Sequence, residues 1–200
     1  MTLLILGLVL FLGIHSVAIV APGWRNAQLV QRGEKGWKGL YAAVSLVGLV
    51  LLIYGYGQAR QVAPVLYTPP AGLRHAALLL MLPVFPLLLA TYLPGRIKTA
   101  AKHPTLLAVK FWALAHLLAN GGAADALLFG AFLVWAVADR ISLTHRPVPP
   151  GASGALGAAH GAPSAPGRWN DVIALLGGLA VYGVFMAGAH RWLIGVSPFG

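Results

Sequence analysis

HPTLLAVKFWALAHLLANG, His103 to Gly121, is apolar enough to lie in a bilayer, yet it carries Lys110, His116 and Asn120. An ionisable side chain inside a membrane span is costly and marks a functional position by default. The first apolar run makes the same choice, placing His15 within LFLGIHSVAIV. The two histidines are therefore candidate halves of one intramembrane site.

The surrounding chain is that of a membrane protein. Of 200 residues, 58% are hydrophobic and 9% charged, with mean hydropathy +0.79, whereas soluble domains carry about 25% charged residues. A spanning helix needs roughly 20 mostly apolar residues. The sequence accommodates six, over 2–21, 37–57, 73–93, 104–120, 123–141 and 170–194. The expected fold is all-α, a polytopic integral membrane helix bundle of six transmembrane helices forming one membrane domain.

The first run has no Lys or Arg before it and no A-x-A-like site after it, so it reads as a retained span rather than a signal peptide. A basic loop is expected from Trp24 to Lys38. Pro83 and Pro86 should kink the third span and free carbonyls that need another partner. Gly121 and Gly122 make a tight turn. Residues 146–167 shift to Pro, Gly, Ala and Ser, the composition of a flexible loop. In the last span Gly177, Gly178, Gly183 and Gly188 permit close helix contacts.

A net charge of +10 and a pI near 10.6 suit nucleic acid in a soluble protein. Here the basic residues sit in short loops beside apolar runs, which reads as membrane topology with no nucleic-acid partner. The loops after spans one, three and five hold Arg25, Arg32, Lys35, Lys38, Arg96, Lys98, Lys102, Arg140, Arg146 and Arg168, against Arg60, Arg74 and Arg191 opposite. That asymmetry sets the former loops in the cytoplasm and both termini on the other side. With no cysteine, disulfides, thiolate catalysis and Cys-ligated metals are excluded.

The seven histidines are not equivalent. His145 and His160 lie in or beside the flexible loop and carry no assigned role. His103 suits interfacial capping, and His75 and His190 sit near span ends. His15 and His116 lie several residues inside their spans. On a helix, i, i+4 and i+8 share a face, which groups Trp112, His116 and Asn120 and turns them into the bundle.

Each histidine has a plain reading, a hydrogen bond across helices. The functional readings are a proton relay, a metal site or haem ligation. The acids Glu34, Asp125, Asp139 and Asp171 all fall near span ends, which disfavours a carboxylate-rich metal site. Haem needs neutral imidazoles, plus cations or donors for its propionates. Depth leaves the pairing open. At ~1.5 Å per residue His15 and His116 are offset by on the order of 10 Å, and His75 or His190 matches His116 better. Lys110 either snorkels to the interface or faces a propionate or bound anion. Asn120 before Gly121 reads as a helix stop.

The combination of GIHS (Gly13–Ser16), APGWR (Ala21–Arg25), GEKGWKGLY (Gly33–Tyr41) and HPTLLAVKFWALAHLLANG resembles the NnrU family, over roughly residues 1–142. The resemblance implies a multi-pass bacterial inner-membrane protein linked to denitrification, through production of active nitrite and nitric oxide reductases. The family is in turn similar to 15-cis-zeta-carotene isomerase, a membrane enzyme that uses haem b. Its ligand motifs match His15 in GIHS and His116 in FWALAH. This implies haem b as cofactor, with His15 and His116 on the iron; His75 is the alternate by depth alone. Where the isomerase carries a cysteine, this chain has Ala113, which removes a thiolate–imidazole exchange.

Three functions follow as expectations. One is a haem b protein supporting denitrification through electron transfer, nitric oxide handling or haem supply. Another is a haem-dependent isomerase of a polyene or other lipophilic small molecule, for which the aromatic faces around Trp112 and Trp135 are suited. The third is a transporter or non-enzymatic assembly factor, suggested by the proline-broken third span. Enzymatic status, substrate and protein partners stay open; membrane lipid is the one partner implied by composition.

Overall fold

A computed structural model describes residues 1–145 and 167–199; the expected flexible loop 146–167, with His160, lies outside them apart from Gly167. The described chain is helical: α1 (Thr2–Val20), α2 (Pro22–Val62), α3 (Ala71–Met81), α4 (Val84–Tyr92), α5 (Arg96–Ala101), α6 (Pro104–Ala119), α7 (Ala123–His145), α8 (Asn170–Val184), a π-helical turn (Phe185–Ala189) and α9 (His190–Ile194). Among the described residues five helices are long and apolar enough to cross a membrane, counting Ala71–Tyr92 and Asn170–Ile194 as one each; Pro104–Ala119 is apolar but shorter. Large aliphatic side chains point outward along them, among them Ile53, Val134 and Leu176, the arrangement expected where the solvent is lipid.

The expected loop from Trp24 to Lys38 is instead helical, and α2 begins at Pro22. The reason is local. Gly33 alone takes a left-handed conformation (φ 69, ψ 167), open to glycine and almost nothing else. One residue thus redirects the helix without a loop. Trp24 and Trp37 meet edge-on across that corner, 5.8 Å apart. Beside it Glu34 pairs with Lys38 at 2.7 Å, and the hydrogen bond from the ammonium holds the Glu34 carboxyl below its usual range.

The chain folds as two compact units. The first comprises Met1–Pro69 and Asn120–Ser142. In it α1 and α2 run antiparallel with their backbones nearly touching. A methyl group at Gly7 would lie 2.6 Å from the Leu52 nitrogen, one at Gly48 2.7 Å from the Phe11 nitrogen, and one at Gly55 would overlap Leu4. Without a hydrophobic force between helices in lipid, such close approach is how spans associate. The Tyr56 hydroxyl donates to Asp125 Oδ1 at 2.5 Å, tying α2 to the first turn of α7. The segment after α2 returns to the same place: Leu66 and Tyr67 N–H donate to the Gly121 carbonyl, and Ala123 N–H to that of Pro64. A Cβ at position 121 would land on the Tyr67 oxygen, so that turn requires glycine.

The second unit comprises Pro70–Ala119 with the described residues from Leu143 onward. Here α4 packs against both α6 and α8, and the cluster Val84, Leu87 and Ala108 is formed by α4 and α6. The third span breaks at Leu82–Pro83, as its prolines require. Leu82 N–H donates to Leu79, the carbonyl Pro83 cannot reach, which releases the Leu78 carbonyl. The Tyr182 hydroxyl of α8 donates to that oxygen at 3.1 Å. At the other end of α8, Asp171 accepts the Arg96 and Ile97 N–H groups, both at 2.9 Å, and Asn170 Nδ2 donates to the Pro94 carbonyl at 2.7 Å. A carboxylate from another helix thus caps α5, filling the place of a local N-cap.

Candidate functional site

His15 sits one turn from the end of α1. Its Nδ1 lies 2.6 Å from the Phe11 carbonyl oxygen. A carbonyl only accepts, so the proton is on Nδ1 and Nε2 carries the lone pair. The ring is packed by aromatics from all three helices of its unit: Phe11 of α1 at 4.3 Å, Tyr41 of α2 at 5.1 Å and Trp135 of α7, edge-on, at 5.9 Å. The Trp135 indole N–H and the Ser45 hydroxyl, one turn beyond Tyr41 on α2, are buried with no hydrogen-bond partner among the described residues. Buried donors are seldom left unpaired.

Between α1 and α7 the same unit carries a groove of about 530 Å³ lined by Leu12, Ser16, Ile19, Leu127, Gly130 and Trp135, among others. The lining is almost wholly apolar. Its volume falls within the range of small-molecule sites.

His116 lies in the last turn of α6 and repeats the arrangement at His15. Its Nδ1–H donates to the Trp112 carbonyl four residues back, at 2.8 Å, and the Trp112 ring stands 5.3 Å away. Trp112 itself packs on the Val84–Leu87–Ala108 core. A third histidine completes the second unit: His190, at the start of α9, has its ring centre 6.5 Å from that of His116, with planes 26° apart. Its Nδ1–H donates to the Val196 carbonyl at 2.8 Å.

The remaining sequence candidates are dispersed. His75 is exposed on α3, Lys110 is half-buried on α6, and Asn120 follows the last residue of α6, where a helix stop belongs. His15 belongs to the first unit and His116 to the second. Among the described residues no group of three or more His, Cys, Asp or Glu side chains could hold a metal ion. A haem makes a different demand, one or two imidazoles presenting Nε2. The donor type at all three histidines fits it, since metal-bound histidine commonly donates its other N–H to a backbone carbonyl.

A family model described as NnrU protein matches residues 3–198. The match runs well beyond residue 142, where the motif resemblance stops, and takes in α8 and α9. The packing of α8 on α4 and its cap on α5 make the last span part of the fold rather than a tail. No curated protein and no solved structure matches the chain.

Proposed function

The chain belongs to the NnrU family, and from that premise we propose that it is a haem b-binding protein of the bacterial inner membrane that supports denitrification. What carries the reading is the hydrogen bond shared by His15 and His116, each ring holding Nδ1 on the carbonyl four residues earlier. That bond fixes the tautomer and the ring orientation and raises the basicity of Nε2. His116 is the iron ligand, and family resemblance names His15 as the second. When bound, the haem supplies one-electron and nitric oxide chemistry. The protein sets the approach of Nε2 and excludes water with apolar helices.

The membrane arrangement proposed with it is six crossings with both termini periplasmic. At ~1.5 Å per residue, the 16 residues of α6 fall short of a hydrocarbon core ~30 Å thick. Local thinning and a snorkelling Lys110 close such a gap at modest cost. An α6 crossing also keeps the basic segments on one side.

Purification in detergent followed by a pyridine haemochrome assay tests the cofactor: haem b near one per chain supports it, and none after haem-supplemented expression refutes it. A deletion strain tests the physiological half, since normal denitrifying growth would remove the role.

A second reading rests on the α1–α7 groove. Its apolar lining suits a lipophilic substrate, as a haem-dependent isomerase would need. Expression in cells accumulating a 15-cis-carotene tests it, and an unchanged pigment profile counts against it.

A further inference from the structure

We propose that the first stretch of α2, residues 22–32, lies along the bilayer surface and, with Lys35, seats the headgroups of anionic phospholipids. The inference needs only the spanning helices of the first unit and is independent of haem.

Length and register place the stretch. At ~1.5 Å per residue the 19 residues of α1 cover about 28 Å, close to a hydrocarbon core ~30 Å thick. Val20 therefore ends at the edge of that core. Gly55 meets Leu4, Gly7 meets Leu52 and Gly48 meets Phe11. Continued in that antiparallel register, Val20 stands level with Gly39. The residues between them cap the α1–α2 hairpin at the bilayer edge.

Two hinges set the stretch apart from both spans. Ala21 leaves helical geometry before it (φ −139, ψ 55) and Gly33 after it (φ 69, ψ 167). Between them the chain stays helical, a short helix of its own roughly 16 Å long. Trp24 near its start meets Trp37 edge-on at 5.8 Å, at the level where α2 enters the bilayer. Aromatic rings collect at that level in membrane proteins.

The sides of the short helix differ in chemistry. Trp24, Ala27 and Val30, at i, i+3 and i+6, follow one side, with Gln31 at its margin. All three are exposed, Trp24 by 51% and Val30 by 86%, so the protein leaves this apolar strip uncovered. Arg25, Gln28 and Arg32, at i, i+3 and i+7, follow another side, where Arg32 Nε donates to Gln28 Oε1 at 2.6 Å. A helix with Trp and aliphatic residues on one side and Arg on another sinks its apolar side into the boundary between headgroups and acyl chains.

Charge selects the lipid. Glu34 is the single acid in the first 124 residues, and Lys38 pairs with it. Arg25 and Asp139 both act on Tyr41, so part of the Arg25 charge is met within the protein. Arg32 and Lys35 are exposed and have no acidic partner among the described residues. Their charge is complementary to a lipid phosphate, and basic residues beside a span attract anionic lipid.

The chain has no cysteine of its own, so single fluorophores on Ala27→Cys, Val30→Cys and Gln28→Cys test the seat in the full-length protein. The protein is reconstituted in nanodiscs of phosphatidylcholine and phosphatidylglycerol, with one or the other lipid brominated on its acyl chains. Labels at 27 and 30 should be quenched by brominated lipid, and the label at 28 by aqueous iodide. Quenching at 27 should favour brominated phosphatidylglycerol. That preference should fall by up to about fivefold with each of Arg32→Gln and Lys35→Gln, persist in Arg32→Lys, and weaken in high salt. Both positions are exposed, so neither substitution disturbs packing. Labels at 27 and 30 that iodide quenches and lipid does not would place the helix in water and overturn the proposal. Labels reached by neither quencher would mean a protein covers the strip, which overturns it as well. Equal quenching by the two lipids, or a preference unchanged in both Gln variants, would overturn the anionic seat.

Discussion

The rings of His116 and His190 lie 6.5 Å apart and 26° from parallel, each pinned through Nδ1 to a backbone carbonyl. Two spans far apart in sequence each bring an imidazole to one spot, the second by way of a π turn, a form rare among helices. The contacts within each unit can be tested separately.

Tyr182→Phe removes one hydroxyl from the second unit and leaves the Leu78 carbonyl without its donor. An unpaired buried carbonyl costs about 1–3 kcal/mol. Thermal unfolding in detergent should show that loss. Faster amide exchange should be confined to the break at Leu82–Pro83. An unchanged melting curve would mean that lipid-side water satisfies the carbonyl.

Asp171→Ala withdraws the cap from α5, an effect of about 0.5–2 kcal/mol for a lost N-cap carboxylate. The readout is proteolysis across Pro94–Lys102, which should quicken. Gly95→Ala should do the same through sterics, because a Cβ there would collide with the Asp171 carboxylate. Protection equal to wild type in both variants would show that the clasp is dispensable.

Gly55→Leu should separate α1 from α2, since even a methyl at that position overlaps Leu4. Overpacking costs about 1–3 kcal/mol and often more. Gly13→Ala, where a Cβ meets nothing within 4 Å, is the matched control and should leave the melting temperature unchanged or raise it. Equal effects from the two would contradict the glycine contact between these helices.

Much of the fold is legible in the sequence because it follows from apolar length and from backbone chemistry. The run 170–194 has the bounds of the helical stretch itself, and Pro83 breaks the third span where the ring removes a donor. The basic stretch Trp24–Lys38 misleads because hydropathy reports where the bilayer begins, not where a helix does. Gly33 changes direction in a single residue. The Asp171 cap has no sequence signal, because nothing local links a carboxylate at 171 to two amides at 96 and 97. His190 stands out in the sequence only as a residue at a suitable depth. Counting faces at 3.6 residues per turn fails across a π turn, and that irregularity is what aims the ring.

The absence of cysteine makes topology directly testable. A single cysteine replacing Lys35 or Lys98 should be labelled by a membrane-impermeant thiol reagent only after the inner membrane is breached. One replacing Ser197 should be labelled in intact spheroplasts. The reverse pattern would invert the orientation derived from the basic residues.

The central claim is that His116 is a haem ligand, and the visible spectrum of purified His116→Ala beside wild type tests it most directly. The predicted result is a Soret band in the wild type that is lost or clearly shifted in the variant, with the variant still folded by circular dichroism. A wild-type preparation without a Soret band, or a variant whose band is identical to the wild type's, would contradict it.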